Sequence, residues 1–268
     1  MKTRLSCITL VLGVGLAFSS FSANATTSWS VGNFLDAPSA TTPSATIQAV
    51  SASASSTTGA GSTLQSACIH DWGTAGFGVV NTSEISPCTG DPGTGPHAAD
   101  NVGTTDLFVL QFASPVSLSQ INIGWNGTDD FSADSDLTVL AYQGSGTPTV
   151  NGNTLSNLLT ATTWTVIGNY GNVGASNGTA AGSGGSATVL TSVSSSWWMI
   201  SAYNGAFGTT SSNGNPIDGW NDYFKLISVA GTVVTPPGRV PEPSALLLFG
   251  TALMGVIGLR RREAFIAA

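Results

Sequence analysis

Four carboxylates fall within eight residues, at Asp129, Asp130, Asp134 and Asp136. Like charges this close repel one another unless water or a cation separates them. Calcium accepts several carboxylate and carbonyl oxygens with loose geometry, so the cluster is a candidate calcium site. A solvated, mutually repelling loop is the competing reading. It is not an EF-hand: counted from Asp130, the sixth position is Ser135 and the twelfth Ala141, where that loop uses Gly and Glu.

The two histidines each lie near an acid, in His70-Asp71 and in His97-Ala98-Ala99-Asp100. A hydrolase could use either histidine as a general base, with the acid orienting it or ligating a metal. No nucleophile or third ligand accompanies them, so local hydrogen bonding in a loop competes with this reading, and no catalytic activity is expected. Gly174-Ala175-Ser176-Asn177-Gly178 matches the G-x-S-x-G pattern formally. That elbow needs a strand before it, a helix after it and a later histidine, and no histidine follows Ser176.

Trp197 and Trp198 are neighbours in a strand-like run. Successive strand side chains point to opposite faces, so at most one of them can enter a core. The other must be covered by a loop or left exposed, where an indole could stack on a sugar ring. Both are candidate carbohydrate-binding residues on this ground.

Strands must position these groups. From Thr26 to about Thr235 the chain is rich in Ser, Thr, Asn, Gly and Ala, with β-branched and aromatic residues and almost no Lys, Glu or Arg. Long amphipathic helices need those charged residues on their wet faces, so helices are not expected. The predicted strands are Thr46–Ser51, Leu107–Phe112, Val116–Trp125, Leu137–Tyr142, Trp164–Tyr170, Ala187–Val193, Trp197–Tyr203 and Tyr223–Val229. Asn-Gly pairs at 126, 151, 204 and 213 supply turn chemistry between them. In Val116–Trp125 the apolar phase slips by one near Gln120, which predicts a β-bulge. The expected architecture is an all-β, antiparallel sandwich of jelly-roll type over residues 26–235, with a flexible loop from Gly171 to Ser186.

The two ends are of another kind. Lys2 and Arg4, an apolar run from Ile8 to Phe18 and Ala23-Asn24-Ala25 have the layout of a signal peptide ending at Ala25. At the other end, after a short linker at 236–239, Val240-Pro241-Glu242-Pro243-Ser244 leads into an apolar run, Ala245–Leu259, and then Arg260-Arg261-Arg262. The prolines bias Val240 and Glu242 toward extended backbone that a processing enzyme can read. Fifteen apolar residues make a short transmembrane helix against the roughly 20 of a full span, and clustered arginines favour the cytoplasmic side. Residues 263–268 then form a cytoplasmic tail, and the bulk of the chain lies on the far side of the membrane.

Export bears on the cysteines. Cys7 leaves with the signal peptide, and the remaining pair, Cys68 and Cys88, is expected to form a disulfide. A zinc site from Cys68, His70, Cys88 and His97 lacks a C-x-x-C pair and is the weaker alternative. Between Thr26 and Gly238 one lysine, Lys225, stands against twelve acids, a formal charge of −11. Nucleic acid is excluded as a partner, because its binding depends on Lys and Arg. Divalent cations and neutral or cationic polymers remain.

The order Pro241-Glu242-Pro243, apolar run, Arg260–Arg262 resembles the PEP-CTERM sorting signal of Gram-negative bacteria. Within the mature region, His97-Ala98-Ala99-Asp100-Asn101, Thr105-Asp106-Leu107, Gly124-Trp125, Ser135–Tyr142 and Asn221–Leu226 resemble a group of exosortase-dependent surface proteins with this tail. The resemblance implies processing by exosortase, a membrane protease-transpeptidase, and a transient single-pass precursor delivered to the cell surface. Association with exopolysaccharide or biofilm matrix is expected. A calcium-dependent carbohydrate-binding module is the alternative, and a metal- or His-dependent hydrolase the weakest.

Overall fold

The structure is a computed structural model that describes residues 26–30, 40–44, 47–58, 61–81, 98–126, 135–174, 184–219 and 221–234. The signal segment and the tail, including Ala245–Leu259, lie outside them. Among the described residues no helix is long and apolar enough to cross a membrane.

Among the described residues twelve strands form one sheet: β1 (Thr26–Ser30), β2 (Ala40–Ser44), β3 (Ile47–Thr57), β4 (Gln65–Asp71), β5 (Phe77–Val80), β6 (Ala99–Asp100), β7 (Thr105–Asn126), β8 (Leu137–Tyr142), β9 (Trp164–Tyr170), β10 (Gly185–Thr188), β11 (Ser195–Ala202) and β12 (Tyr223–Val233). The fold is all-β, and all its ladders are antiparallel. Besides two single 3-10 turns, Gly73–Ala75 and Gly205–Phe207, one α-helix is described, α1 (Leu155–Thr160), six residues long and capped by Thr154 Oγ1, which accepts the Asn157 N–H at 3.1 Å.

β7 organises the whole. Its first half pairs with β3 on one side and β11 on the other, and its second half pairs with β12 and β10. The two expected strands Leu107–Phe112 and Val116–Trp125 are therefore one strand that changes neighbours around Ser114-Pro115. A proline donates no ladder bond, so it fits where a strand leaves one partner for another. The predicted bulge is present: Ala230 pairs with Gln120 and Gly231 with Leu118, which leaves Ser119 as the extra residue.

Because β12 also pairs with β5, the path β12–β5–β4–β3–β7–β12 closes on itself. This differs from the expectation of two separate facing sheets: the described strands form one barrel-like sheet. Closure follows from the length of β7, which spans both halves and hydrogen-bonds in each.

Two cores result from strand alternation. Phe108, Leu110 and Phe112 of β7 point inward with Ala52, Ala54, Trp198 and Ile200, and meet Phe77, Phe224 and Leu226 from across the barrel. Leu107 and Val109 point the other way with Leu140 and Met199, and are covered by Leu155 and Leu158 of α1, Leu64, Val150 and Phe207. The 143–163 excursion between β8 and β9 thus roofs the outer face of β3, β7, β11 and β8. Backbone bonds from Leu64 N–H to Asn153 O and from Gly152 N–H to Leu64 O, both 2.8 Å, hold the roof down.

Candidate functional site

The roof covers Trp197 only in part: the indole packs against the outer core near Val150 and Asn151 and stays partly exposed. In the β11–β7 ladder Trp197 stands beside Gln111, while Met199, two places along, stands beside Val109 under the roof. Trp197 is partly buried and lines two depressions. One, about 520 Å³, runs between Gln111, Tyr142, Gln143 and Ser194–Ser196. The other, about 270 Å³, lies toward Ser53, Ser55, Ser66 and Asn151. Trp197 lines both, so the indole stands between them; their walls mix uncharged hydrogen-bonding side chains with apolar ones such as Phe112, Pro115, Pro148 and Val150, and the pair is called the groove below.

Several contacts fix this geometry. Ser195 Oγ lies 2.6 Å from the Tyr142 carbonyl and accepts the Trp197 N–H at 3.0 Å. Tyr142 packs on Trp164 with ring centroids 5.4 Å apart. On the far wall Ser55 Oγ donates to Asn151 Oδ1, and Asn151 Nδ2 donates to Ser66 Oγ, each at 2.7 Å. Gly144 lets the roof turn over Tyr142, since a Cβ there would lie 2.4 Å from the tyrosine oxygen.

Trp198 faces the other way. It is fully buried, and its Nε1–H donates to the Ser195 and Val116 carbonyls at 3.0 and 3.2 Å. No face of that indole is open to a ligand, which corrects its candidacy as a sugar-binding residue.

Of the four clustered carboxylates, Asp136 lies among the described residues. Asp129, Asp130 and Asp134 lie outside the described residues. Asp136 is fully buried; Oδ1 accepts the Asn172 N–H and Oδ2 the Asp218 N–H, both at 2.7 Å. Its own N–H donates to Asp222 Oδ1 at 2.7 Å. Asp222 in turn accepts from Asn101 Nδ2 and returns its N–H to Asn101 Oδ1 at 2.9 Å. Asp136 is thus a pin for three loops, and at this position its burial replaces the solvated-loop reading. Among the described residues no group of three acids, histidines or cysteines is arranged to hold a metal.

Of the six described acids, Asp100, Asp106, Asp136 and Asp222 are buried, leaving Asp71 and Asp218 nearer the solvent. Charge near Tyr203 is felt inside: burial first, then the Asp136 and Asp222 carboxylates, push its phenol above the usual tyrosine value.

His70 and Asp71 do not work together. His70 packs edge-on against Trp72 at 4.7 Å between centroids, and Asp71 Oδ1 accepts the Gly73 N–H at 2.7 Å. His97 lies outside the described residues, as do Cys88 and Ser176. Cys68 is buried on β4.

One cluster escaped sequence reasoning. Lys225 places its ammonium 4.3 Å from the Trp72 ring and 4.5 Å from the Trp125 ring. Burial lowers its pKa, and the two indole faces offset part of that desolvation. The signal was a single lysine in a strand register beside a tryptophan, legible only once Lys225 is known to pair with Trp125.

No curated protein matches the chain. Among solved structures it is similar to the C-terminal domain of a chitobiase from Bacteroides fragilis, with 13% identity and a TM-score of 0.28. That match covers 49% of this chain and 66% of the other, just under two thirds of its length. The sorting motif Pro241-Glu242-Pro243 and Arg260–Arg262 lies outside the described residues, but a family comparison covers it. Residues 239–262 match the PEP-CTERM protein-sorting motif, so the chain carries the C-terminal signal of an exosortase-targeted surface protein.

Proposed function

We propose that this chain is exported across the inner membrane, held briefly by Ala245–Leu259, cleaved by exosortase and left at the cell surface with exopolysaccharide or biofilm matrix. The observation that carries the reading is the sorting motif at 239–262. The β domain from 26 to 235 is the part delivered. Signal-peptide cleavage after Ala25 belongs to the same reading, supported by the Lys2, Arg4 and Ala23-Asn24-Ala25 pattern. So does a Cys68–Cys88 bridge, supported by Cys68 being disulfide-bonded and by the parity of cysteines after export.

The domain acts without catalysis in this proposal. Support comes from the separate engagement of His70 and Asp71, one on an indole and the other on a backbone amide. The calcium-dependent carbohydrate-binding alternative loses support at Asp136, whose two oxygens already accept backbone N–H groups.

The test replaces Pro241-Glu242-Pro243 with alanines in full-length protein and follows processing by immunoblot and membrane fractionation. The altered chain should accumulate as an uncleaved, membrane-bound precursor while the wild type reaches the surface. Normal maturation of the altered chain would defeat the reading.

A further inference from the structure

We infer that the groove over Trp197 binds a neutral polysaccharide chain, with the Trp197 indole as its stacking platform. This deepens the proposed association with the matrix and rests on that reading.

Three observations select this ligand. First, Trp197 lines the depressions on both sides of it, which suits a polymer extended across the indole rather than a ligand that ends on it. Second, no charged side chain lines either lobe. A polyanion or polycation would surrender hydration there and gain no counter-charge, whereas hydroxyl groups find amides and hydroxyls on both walls. Asn151 is held between Ser55 and Ser66, so one such amide is positioned beforehand. Third, Trp198 fills the inner core, whereas Trp197 packs against the outer core yet stays partly exposed. Trp197 adds an aromatic surface where its ladder neighbour is the exposed Gln111.

A peptide strand fits less well. From Trp198 to Ser201 β11 is hydrogen-bonded on both sides, to β7 and to β8, so it offers no long free backbone edge for strand addition. Recognition at Trp197 must therefore use side chains. The other aromatic pair, Trp72 and Trp125, is occupied by Lys225.

The experiment is affinity gel electrophoresis of the exported, processed protein recovered from producing cells. The gels contain mixed-linkage β-glucan, galactomannan or dextran, with alginate as the polyanion, in calcium and in EDTA. At least one neutral polysaccharide should retard the wild type equally in both buffers. Trp197→Ala should weaken that retardation roughly tenfold or more, the scale of a central aromatic anchor. Gln111→Ala, an exposed change, should weaken it with an unchanged melting temperature, which separates lost binding from lost folding. Retardation by alginate alone, by none of the polymers, or undiminished in both variants would overturn the assignment. So would retardation abolished by Trp72→Ala and not by Trp197→Ala. Cell fractionation scores the underlying reading separately. Protein in the matrix without polymer retardation sinks only the groove, and retardation with no matrix protein sinks only the matrix association.

Discussion

The backbone N–H of Asp136 donates to Oδ1 of Asp222 across 2.7 Å, joining residues 86 apart in sequence at the entrances to β8 and β12. Asn101, from a third loop, closes on Asp222 with both ends of its amide. One end of the barrel is thereby tied by a side-chain network rather than by ladder bonds.

Asp222→Ala should cost about 2–4 kcal/mol in urea unfolding, because it strands the Asp136 N–H and an Asn101 amide donor in a buried site. The loss should be the same in calcium and in EDTA. A loss confined to calcium-containing buffer would return a cation to this network.

Tyr203 links that network to pH. Its folded pKa is raised above 10.0, chiefly by burial, so the folded state holds the phenolic proton more tightly than the unfolded chain. This contribution is fully present below pH 10 and is lost as pH rises through the folded value. Lys225 works in the opposite sense, since its lowered pKa makes stability rise with pH in the window just under 10.5. Melting temperatures from pH 8 to 11 should therefore fall less steeply at the alkaline end for Tyr203→Phe. They should lose their rise below pH 10.5 for Lys225→Met.

Gly124→Ala should destabilise although the position lies in a strand. The added Cβ would stand 2.5 Å from the Ala75 carbonyl oxygen, a backbone atom that cannot swing aside. The turn Gly73–Ala75 must then lift from β7, drawing Trp72 away from Lys225. We expect a loss of about 1–3 kcal/mol and altered tryptophan fluorescence, as for an overpacked site. Gly214→Ala, with open space around its Cβ and a positive φ of 79°, should show only backbone strain and leave fluorescence unchanged.

The adjacent tryptophans should separate cleanly. Trp198→Ala empties a fully buried site and should cost about 3–5 kcal/mol. Trp197→Ala should cost a fraction of that, because one side of its indole already faces the groove. Equal losses in thermal unfolding would contradict the alternation of faces along β11.

Much of the strand layout was legible. Leu137–Tyr142 and Trp164–Tyr170 stand where alternation and aromatic content put them, and the slipped phase at Gln120 marks a real bulge at Ser119. Gln65–Asp71 and Phe77–Val80 were not recognised. The first is only partly buried in alternation, and the second is buried at every position, so neither carries a period-two signal. The helix Leu155–Thr160 went unseen because two apolar positions, Leu155 and Leu158, suffice to seat a single capped turn and a half.

The sequence by itself determined the address and the fold class. A sorting motif is read from consecutive residues, and β composition acts locally, so neither needs a partner from afar. The tertiary structure alone decided which acids enter the interior, which of two neighbouring tryptophans meets the groove, and that one long strand closes the sheet. Each of these depends on backbone amides, ladder registers or loops tens of residues away. Burial of Asp136, for one, is tolerable only because the N–H groups of Asn172 and Asp218 arrive to meet it.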